Sequence, residues 1–266
     1  MAGERPLEVP AWKQGEDAAL ALRLRLNYGN SPVNVWDAIR RCGVALAMEN
    51  FGETGGDGRY LAKSGRALII VNSAKRPVGR QRFTAAHELG HHEMHRHDHP
   101  NLVIRDDNIF GSNDPMEVAA NAFAGNFLAP AAGLAEALGE KRNGAVTPED
   151  VVSLMVDFGV TYETAVYRLH SSRLITAPCR DRLLNLSRGN IEAMLADLGV
   201  DEAKVLPNKA SLPLPLRLRG ARREALAASP HIGCPLCRDA SPLAGGGCCL
   251  SRSTPDRASR AARLRP

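Results

Sequence analysis

The sequence predicts an α+β protein in which a small antiparallel sheet packs on helices. Three observations predict it. Two strand-like runs, "RYLA" and "RALIIVN", are joined by the short turn "KSG". A histidine-rich stretch from Phe83 to His99 has no proline and has helical spacing. The order along the chain is helix, strands, helix, helix rather than a regular alternation of strand and helix.

The elements follow in order. Residues 16–28, "EDAALALRLRLNY", have a helical composition but no clear start signal. Ser31 can cap the next helix with Pro32 at its first position; Val35, Trp36 and Ile39 form its apolar stripe, and Gly43 ends it. The glycine-rich "GETGGDG" then leads into the two strands, read as a short hairpin. The histidine helix is predicted from Arg80 to His95. A loop, "HPNLVIRDDNIFGSNDP", connects it to the helix "MEVAANAFAGNFLA", which Pro130 stops.

Further along, Thr147, Pro148 and Asp150 start "PEDVVSLMVDF", Gly159 stops it, and Thr161 caps "YETAVYRLHSS". Two helices around a tight glycine turn read as a helix-turn-helix-like pair. A last helix, "NIEAMLADL", is capped by Asn190 and closed by Gly199. The expected organisation is a partly helical N-terminal extension (1–30), a core (31–145), a helical subdomain (146–208) and a tail (209–266). The tail is rich in Pro, Gly, Arg and Ser without periodicity, and it is expected to be disordered.

Composition excludes several classes. With 44% hydrophobic and 24% charged residues the chain is an ordinary globular protein. Its net charge of +5 owes much to arginines after residue 217, so no nucleic-acid reading rests on it. No apolar run approaches the roughly 20 residues that span a bilayer, and the first residues lack the apolar core of a signal peptide. The expectation is a cytoplasmic protein without a membrane partner. Cys42 is the single cysteine up to residue 178, which is no disulfide framework and suits a reducing compartment. In the tail, His231, Cys234, Cys237 and Cys248 have the spacing of a zinc knuckle, but nothing around them offers a strand or helix to fold on.

The histidine stretch holds six of the chain's eight histidines, which raises the question of a metal. His87-Glu88-Leu89-Gly90-His91 reads HExxH. At i and i+4 on a helix the two imidazoles project from one face, one turn apart, and both can bind one tetrahedral zinc. Glu88 reaches a water at the metal without being a ligand itself. This five-residue pattern also arises by chance on solvated helices, so the third ligand decides.

Three candidates offer themselves. His95 lies about 12 Å from His87 by helical rise, too far for three ligands on a straight helix to converge. His97 completes an HExxHxxxxxH spacing, but that pattern needs a glycine to turn the chain back, and Met94 stands there. Glu117 opens a separate helix, which Ala119, Ala120, Phe123, Ala124 and Phe127 mark as packed inside, and Asn121 one turn on can orient a ligating histidine. A glutamate in a first helical turn is also favoured by the dipole without any metal. A His, His, Glu set with an open fourth position is the arrangement of hydrolytic zinc sites. His92, His97 and His99 are expected to be solvated. His95 is expected to pack at the end of the metal helix, where the dipole favours positive charge.

"RQRFTAAHELGHHEMH" followed by "MEVAANAFAGNFLAP" resembles the ImmA/IrrE family of metallo-endopeptidases. In that family an RxRFTxAHELGHxxLH helix pairs with an ExxANxFAxxLLMP helix that carries the third ligand. The strand "IIVNS" and the element "FGVTYETAVYRLHSSRLI" at 158–175 agree with the family pattern, and the resemblance covers residues 31–176. It implies a zincin-like core, zinc at His87, His91 and Glu117, and Glu88 as catalytic base. Mn²⁺ is the other metal such donors accept. Ala119 stands where an acidic residue is usual and "LLMP" reads "FLAP"; neither departure removes a ligand.

The expected reaction is peptide-bond hydrolysis, with Glu88 moving the proton and the metal polarising the carbonyl. "ALIIVN" is a candidate edge to which an extended peptide adds as a strand. Tyr60, Tyr162 and Tyr167 are the candidate oxyanion donors. The resemblance further implies a helix-turn-helix repressor as substrate and partner. The rival class is a DNA-binding regulator, or an antirepressor that binds without cutting. For the former, Arg168, His170 and Arg173 on the helices at 148–172 can approach phosphates, but "YETAVYRLH" offers few base-reading side chains.

Overall fold

The computed structural model describes residues 9–75, 78–106, 112–142, 145–186 and 188–200. The expected tail at 209–266, with its cysteine cluster, lies outside the described residues.

A four-stranded sheet is built from β1 (Ala45–Glu49), β2 (Gly58–Lys63), β3 (Arg66–Asn72) and β4 (Val103–Asp106), in the order β1-β3-β2-β4. The expected hairpin is β2–β3, antiparallel with Tyr60 opposite Ile69. Its two-residue turn puts Ser64 at φ 50 and Gly65 at φ 76, the left-handed pair that matches the twist of the strands. β4 adds to β2 antiparallel, with Tyr60 opposite Ile104, whereas β1 runs parallel to β3. β3 is therefore interior, bonded to β1 on one side and β2 on the other, and cannot take a peptide as the sequence suggested. Among the described residues the outer strands are β1 and β4.

The pleat buries Tyr60 and Ala62 of β2, Ile69 and Val71 of β3 and Leu46 of β1. Helix α3 (Val78–His95) packs on β2 and β3. It is buried nearly all round, because α4 (Pro115–Leu128) covers another side. The two helices approach where Gly90 meets Phe123: a Cβ at Gly90 would lie 3.0 Å from that ring. Asp114 caps α4 through the Met116 N–H at 2.8 Å, and Pro115 opens it.

Helix α1 (Ala11–Arg25) starts earlier than the expected 16–28 and ends before Asn27, at φ 56. It lies along α4, with Gly15 against the carbonyl of Ala119. Arg23, 2% exposed, donates to the carbonyls of Phe127, Gly29 and Ser31, so one guanidinium ties α4 to the loop after α1. Helix α2 (Val35–Arg41) is capped by Asn34, whose side chain accepts from Trp36 and Asp37 N–H, rather than by Ser31. Its stripe of Val35, Trp36 and Ile39 is buried as expected.

Helix α5 (Ala131–Leu138) follows α4 after Pro130. Helices α6 (Pro148–Phe158) and α7 (Tyr162–Ser171) carry the expected Thr147–Asp150 capping box, Gly159 turn at φ 62 and Thr161 cap. Two helices complete the described chain, α8 (Ala177–Leu184) and α9 (Arg188–Asp197). Asn190 lies inside α9 rather than at its start, and Gly199 follows it at φ 66. Arg168 of α7, which the rival DNA-binding reading would use on phosphates, donates to the Ala129 carbonyl and to Asn126 Oδ1.

The stretch Pro115–Leu138 is apolar enough to pass a length-and-hydropathy test for crossing a membrane, with mean hydropathy 1.2. The stretch comprises α4 and α5 on either side of Pro130; its most apolar window is 56% buried inside the fold, and α4 carries Glu117 and Asn121.

The contact of α1 with α4 has little slack. A Cβ at Gly15 would lie 2.0 Å from the Ala119 carbonyl oxygen and 2.8 Å from the Phe123 nitrogen, both backbone atoms. Gly15→Ala is therefore expected to force the helices apart at about 1–3 kcal/mol. Urea unfolding should show a lower midpoint at unchanged slope; an unchanged midpoint would show that α1 is not pressed against α4.

Candidate metal centre

The i, i+4 spacing on α3 turns His87 and His91 to one face, both fully buried, with their Nε2 atoms 3.0 Å apart. The first turn of α4 brings in Glu117, whose Oε2 lies 3.1 Å from His87 Nε2 and whose Oε1 lies 3.3 Å from His91 Nε2. Metal–ligand bonds of about 2.0–2.2 Å at tetrahedral angles require ligand atoms about 3.3–3.6 Å apart. The three donors are thus close to the size of a zinc site before any ion is added.

The far side of each imidazole fixes which nitrogen faces this cluster. Asn121, one turn after Glu117 on α4, places its Oδ1 3.0 Å from His87 Nδ1. An amide oxygen only accepts, so His87 carries a proton on Nδ1, which makes Nε2 the atom it offers to a metal. His91 Nδ1 lies 3.0 Å from His95 Nδ1. With its Nε2 turned to the cluster, His91 donates from Nδ1, and His95 accepts as a neutral ring. Burial first, then the neighbouring His91 and His99, lowers the pKa of His95 to about 4. The positive charge expected at this position is absent because desolvation outweighs the helix dipole.

Glu117 itself is opposed by burial, which alone would raise its pKa. The two imidazoles facing it prevail and hold the carboxyl well below the usual carboxylate range. It stays anionic, as a ligand must.

Glu88 is fully buried on the next position of α3, and its carboxylate lies against the start of β2. His92, expected to be solvated, is 4% exposed. Arg96 donates to His92 Nε2 at 2.7 Å, so the ring proton sits on Nδ1 and points to the Tyr60 hydroxyl oxygen 2.9 Å away. Burial first, then Arg96, lowers the pKa of His92 to about 4. His97 and His99 are exposed beyond the end of α3, and α3 runs on through Met94 without the turn that His97 would need.

The oxyanion candidates separate. Tyr60 is fully buried and engaged by His92, and Tyr162 donates to the Leu183 carbonyl at 3.3 Å. Tyr167 is 55% exposed on α7. His95 stands at the end of α3 as expected; what the sequence reading missed is that its ring meets the outer nitrogen of His91.

Residues 39–170 match the IrrE N-terminal-like domain family, Peptidase_M78. The matched span runs from the end of α2 to α7 and contains the His, His, Glu cluster; α1 lies before it. No curated protein matches the chain.

The two buried neutral histidines make stability depend on pH. Their folded pKa values, about 4, lie below the ordinary 6.5, so the unfolded chain binds more protons between those values. Stability is therefore full above pH about 6.5 and lost as pH falls toward 4. For metal-free protein the expected loss from His92 is on the order of 2 kcal/mol. Thermal unfolding followed from pH 7 to pH 4 should show the decline; a flat profile would mean that these rings are charged in the fold.

Proposed function

We infer the function of this chain from the family to which it belongs, the ImmA/IrrE metallopeptidases: it is a zinc-dependent endopeptidase that cuts a helix-turn-helix transcriptional repressor and so relieves repression. The observation that carries the catalytic part is the convergence of His87 and His91 Nε2 with the Glu117 carboxylate, at 3.0–3.3 Å. The repressor as partner, and the cytoplasm as the place of action, come from the family resemblance and from the cysteine-poor sequence before the tail.

His87, His91 and Glu117 would hold the zinc, with Mn²⁺ as the alternative ion. When bound, the metal supplies Lewis acidity, which brings the pKa of the attacking water toward neutrality and polarises the scissile carbonyl. Glu88, next to the first ligand, takes the proton from that water and returns it to the leaving amine. Its burial keeps the transfer away from bulk water. Asn121 and His95 hold the imidazoles in the tautomer that presents Nε2. The extended peptide is proposed to add to the outer edge of β4. Asp106 of that strand pairs with Gly58, the residue that faces Glu88, so this edge leads to the base.

The purified full chain is to be incubated, with zinc or Mn²⁺, with the helix-turn-helix protein encoded nearest its gene, beside Glu88→Gln. The wild type is expected to cut, and Glu88→Gln to lose about 10²–10⁴-fold in kcat while keeping its zinc. Stable binding of the repressor without a cut by either form would overturn the peptidase reading in favour of a sequestering antirepressor.

A further inference from the structure

We infer that Gly58 is a positioning residue for the catalytic carboxylate: β2 must open on a residue without a side chain so that Glu88 can stand in its working place. This rests on the reading of Glu88 as the base. In the sequence Gly58 looks like the last glycine of a flexible loop, "GETGGDG". In the fold it is a strand residue, paired with Val71 of β3 and Asp106 of β4.

Its backbone does not ask for glycine. Its φ lies outside the left-handed region, and a side chain would ordinarily favour the strand. What excludes a side chain is the helix opposite. A Cβ at Gly58 would lie 2.3 Å from Glu88 Oε1, 3.2 Å from Glu88 Cδ and 2.6 Å from Thr84 Cγ2. Thr84 and Glu88 are one turn apart on α3, so the strand start is pressed against the face that carries the base.

Neither the strand nor the threonine can give way easily. Asp57, 1% exposed, accepts from Arg80 Nε and from its terminal nitrogen, each at 2.9 Å, which clamps the preceding residue to the first turn of α3. The Asp57 carbonyl accepts from Asn72 N–H at 2.9 Å. The Thr84 hydroxyl donates to the Arg80 carbonyl at 3.0 Å, which fixes where its methyl points. The soft partner is the end of the Glu88 side chain. An added methyl group would therefore turn the carboxylate out of its place, besides pressing on the Thr84 methyl at 2.6 Å, and a displacement of about 1 Å is enough to cost roughly 10²-fold in rate.

Gly58→Ala in the full chain is the first test. The expected result is a fall of about 100-fold in kcat for peptide hydrolysis, with KM and zinc affinity within about threefold of wild type. The second test needs neither substrate nor metal. Thermal unfolding of the metal-free protein is measured for Gly58→Ala with and without Glu88→Ala, all in a Thr84→Ser background that removes the methyl group. Gly58→Ala is expected to lower Tm by about 3 °C when Glu88 is present, and to leave it unchanged or raise it in the Glu88→Ala background. Equal shifts in both backgrounds, or full kcat in Gly58→Ala, would overturn the inference. If the wild type cuts no peptide but the cycle is non-additive, the peptidase reading fails and the assignment of the space to Glu88 stands.

Discussion

Three donor atoms from two different helices have to meet within the volume of one ion, and much of the described fold serves that constraint. His87 and His91 come from the middle of α3, and Glu117 from the first turn of α4. Small errors in the spacing of these helices would open the cluster. Gly90, within the HExxH segment, lets the Phe123 ring approach α3 directly. On its other side α4 is backed by α1, with Gly15 against its backbone. Its C-terminal end is held by two arginines, the buried Arg23 from α1 and the half-buried Arg168 from α7, which donate to the Phe127 and Ala129 carbonyls and to Asn126. Burial lowers both arginines to a pKa of about 10. Guanidinium groups desolvated to this degree are costly unless the carbonyls they meet need a donor, and the last carbonyls of a helix do.

The same constraint governs charge. A buried helix with four histidines would be unstable if the rings were protonated, and protonated rings would not ligate a metal. The fold settles both matters by the same device. Each ring is at least half-buried and held by fixed hydrogen bonds: His87 by Asn121, His91 and His95 by each other, His92 by Tyr60 and Arg96. The two orienting partners sit one helical turn beyond a member of the cluster, Asn121 after Glu117 and His95 after His91. Helical periodicity thus builds both the cluster and its support.

How much of this the sequence carried depended on whether the signal was local. The β2–β3 hairpin was readable because its turn needs residues that tolerate positive φ, and Ser64-Gly65 supplies them. Helices α6 and α7 were readable from Thr147, Asp150, Gly159 and Thr161, whose capping bonds lie within a few residues. Strands β1 and β4 were not, because five and four residues carry no usable alternation and take their form from the strands beside them. Between Ser31 and Asn34 both can cap, and only the packed position of Val35 and Trp36 decides for Asn34. In the site, the cluster of His87, His91 and Glu117 could be assembled from spacing and resemblance. The burial of His92 and the neutral state of His95 could not, since a polar helix enclosed by sheet and helices has the same sequence pattern as one facing water. Gly58 was hidden for a similar reason: its meaning lies in Glu88, thirty residues later in the chain.

The most direct measurement of the central claim is X-ray absorption at the zinc edge on the full chain loaded with one equivalent of metal. The account predicts a low-coordinate first shell of two imidazole nitrogens and carboxylate or water oxygen at about 2.0–2.2 Å, with the carboxylate contribution lost in Glu117→Ala. A shell of three imidazoles, or one containing sulfur at about 2.3 Å, would contradict it, because the ion would then be held by residues other than His87, His91 and Glu117.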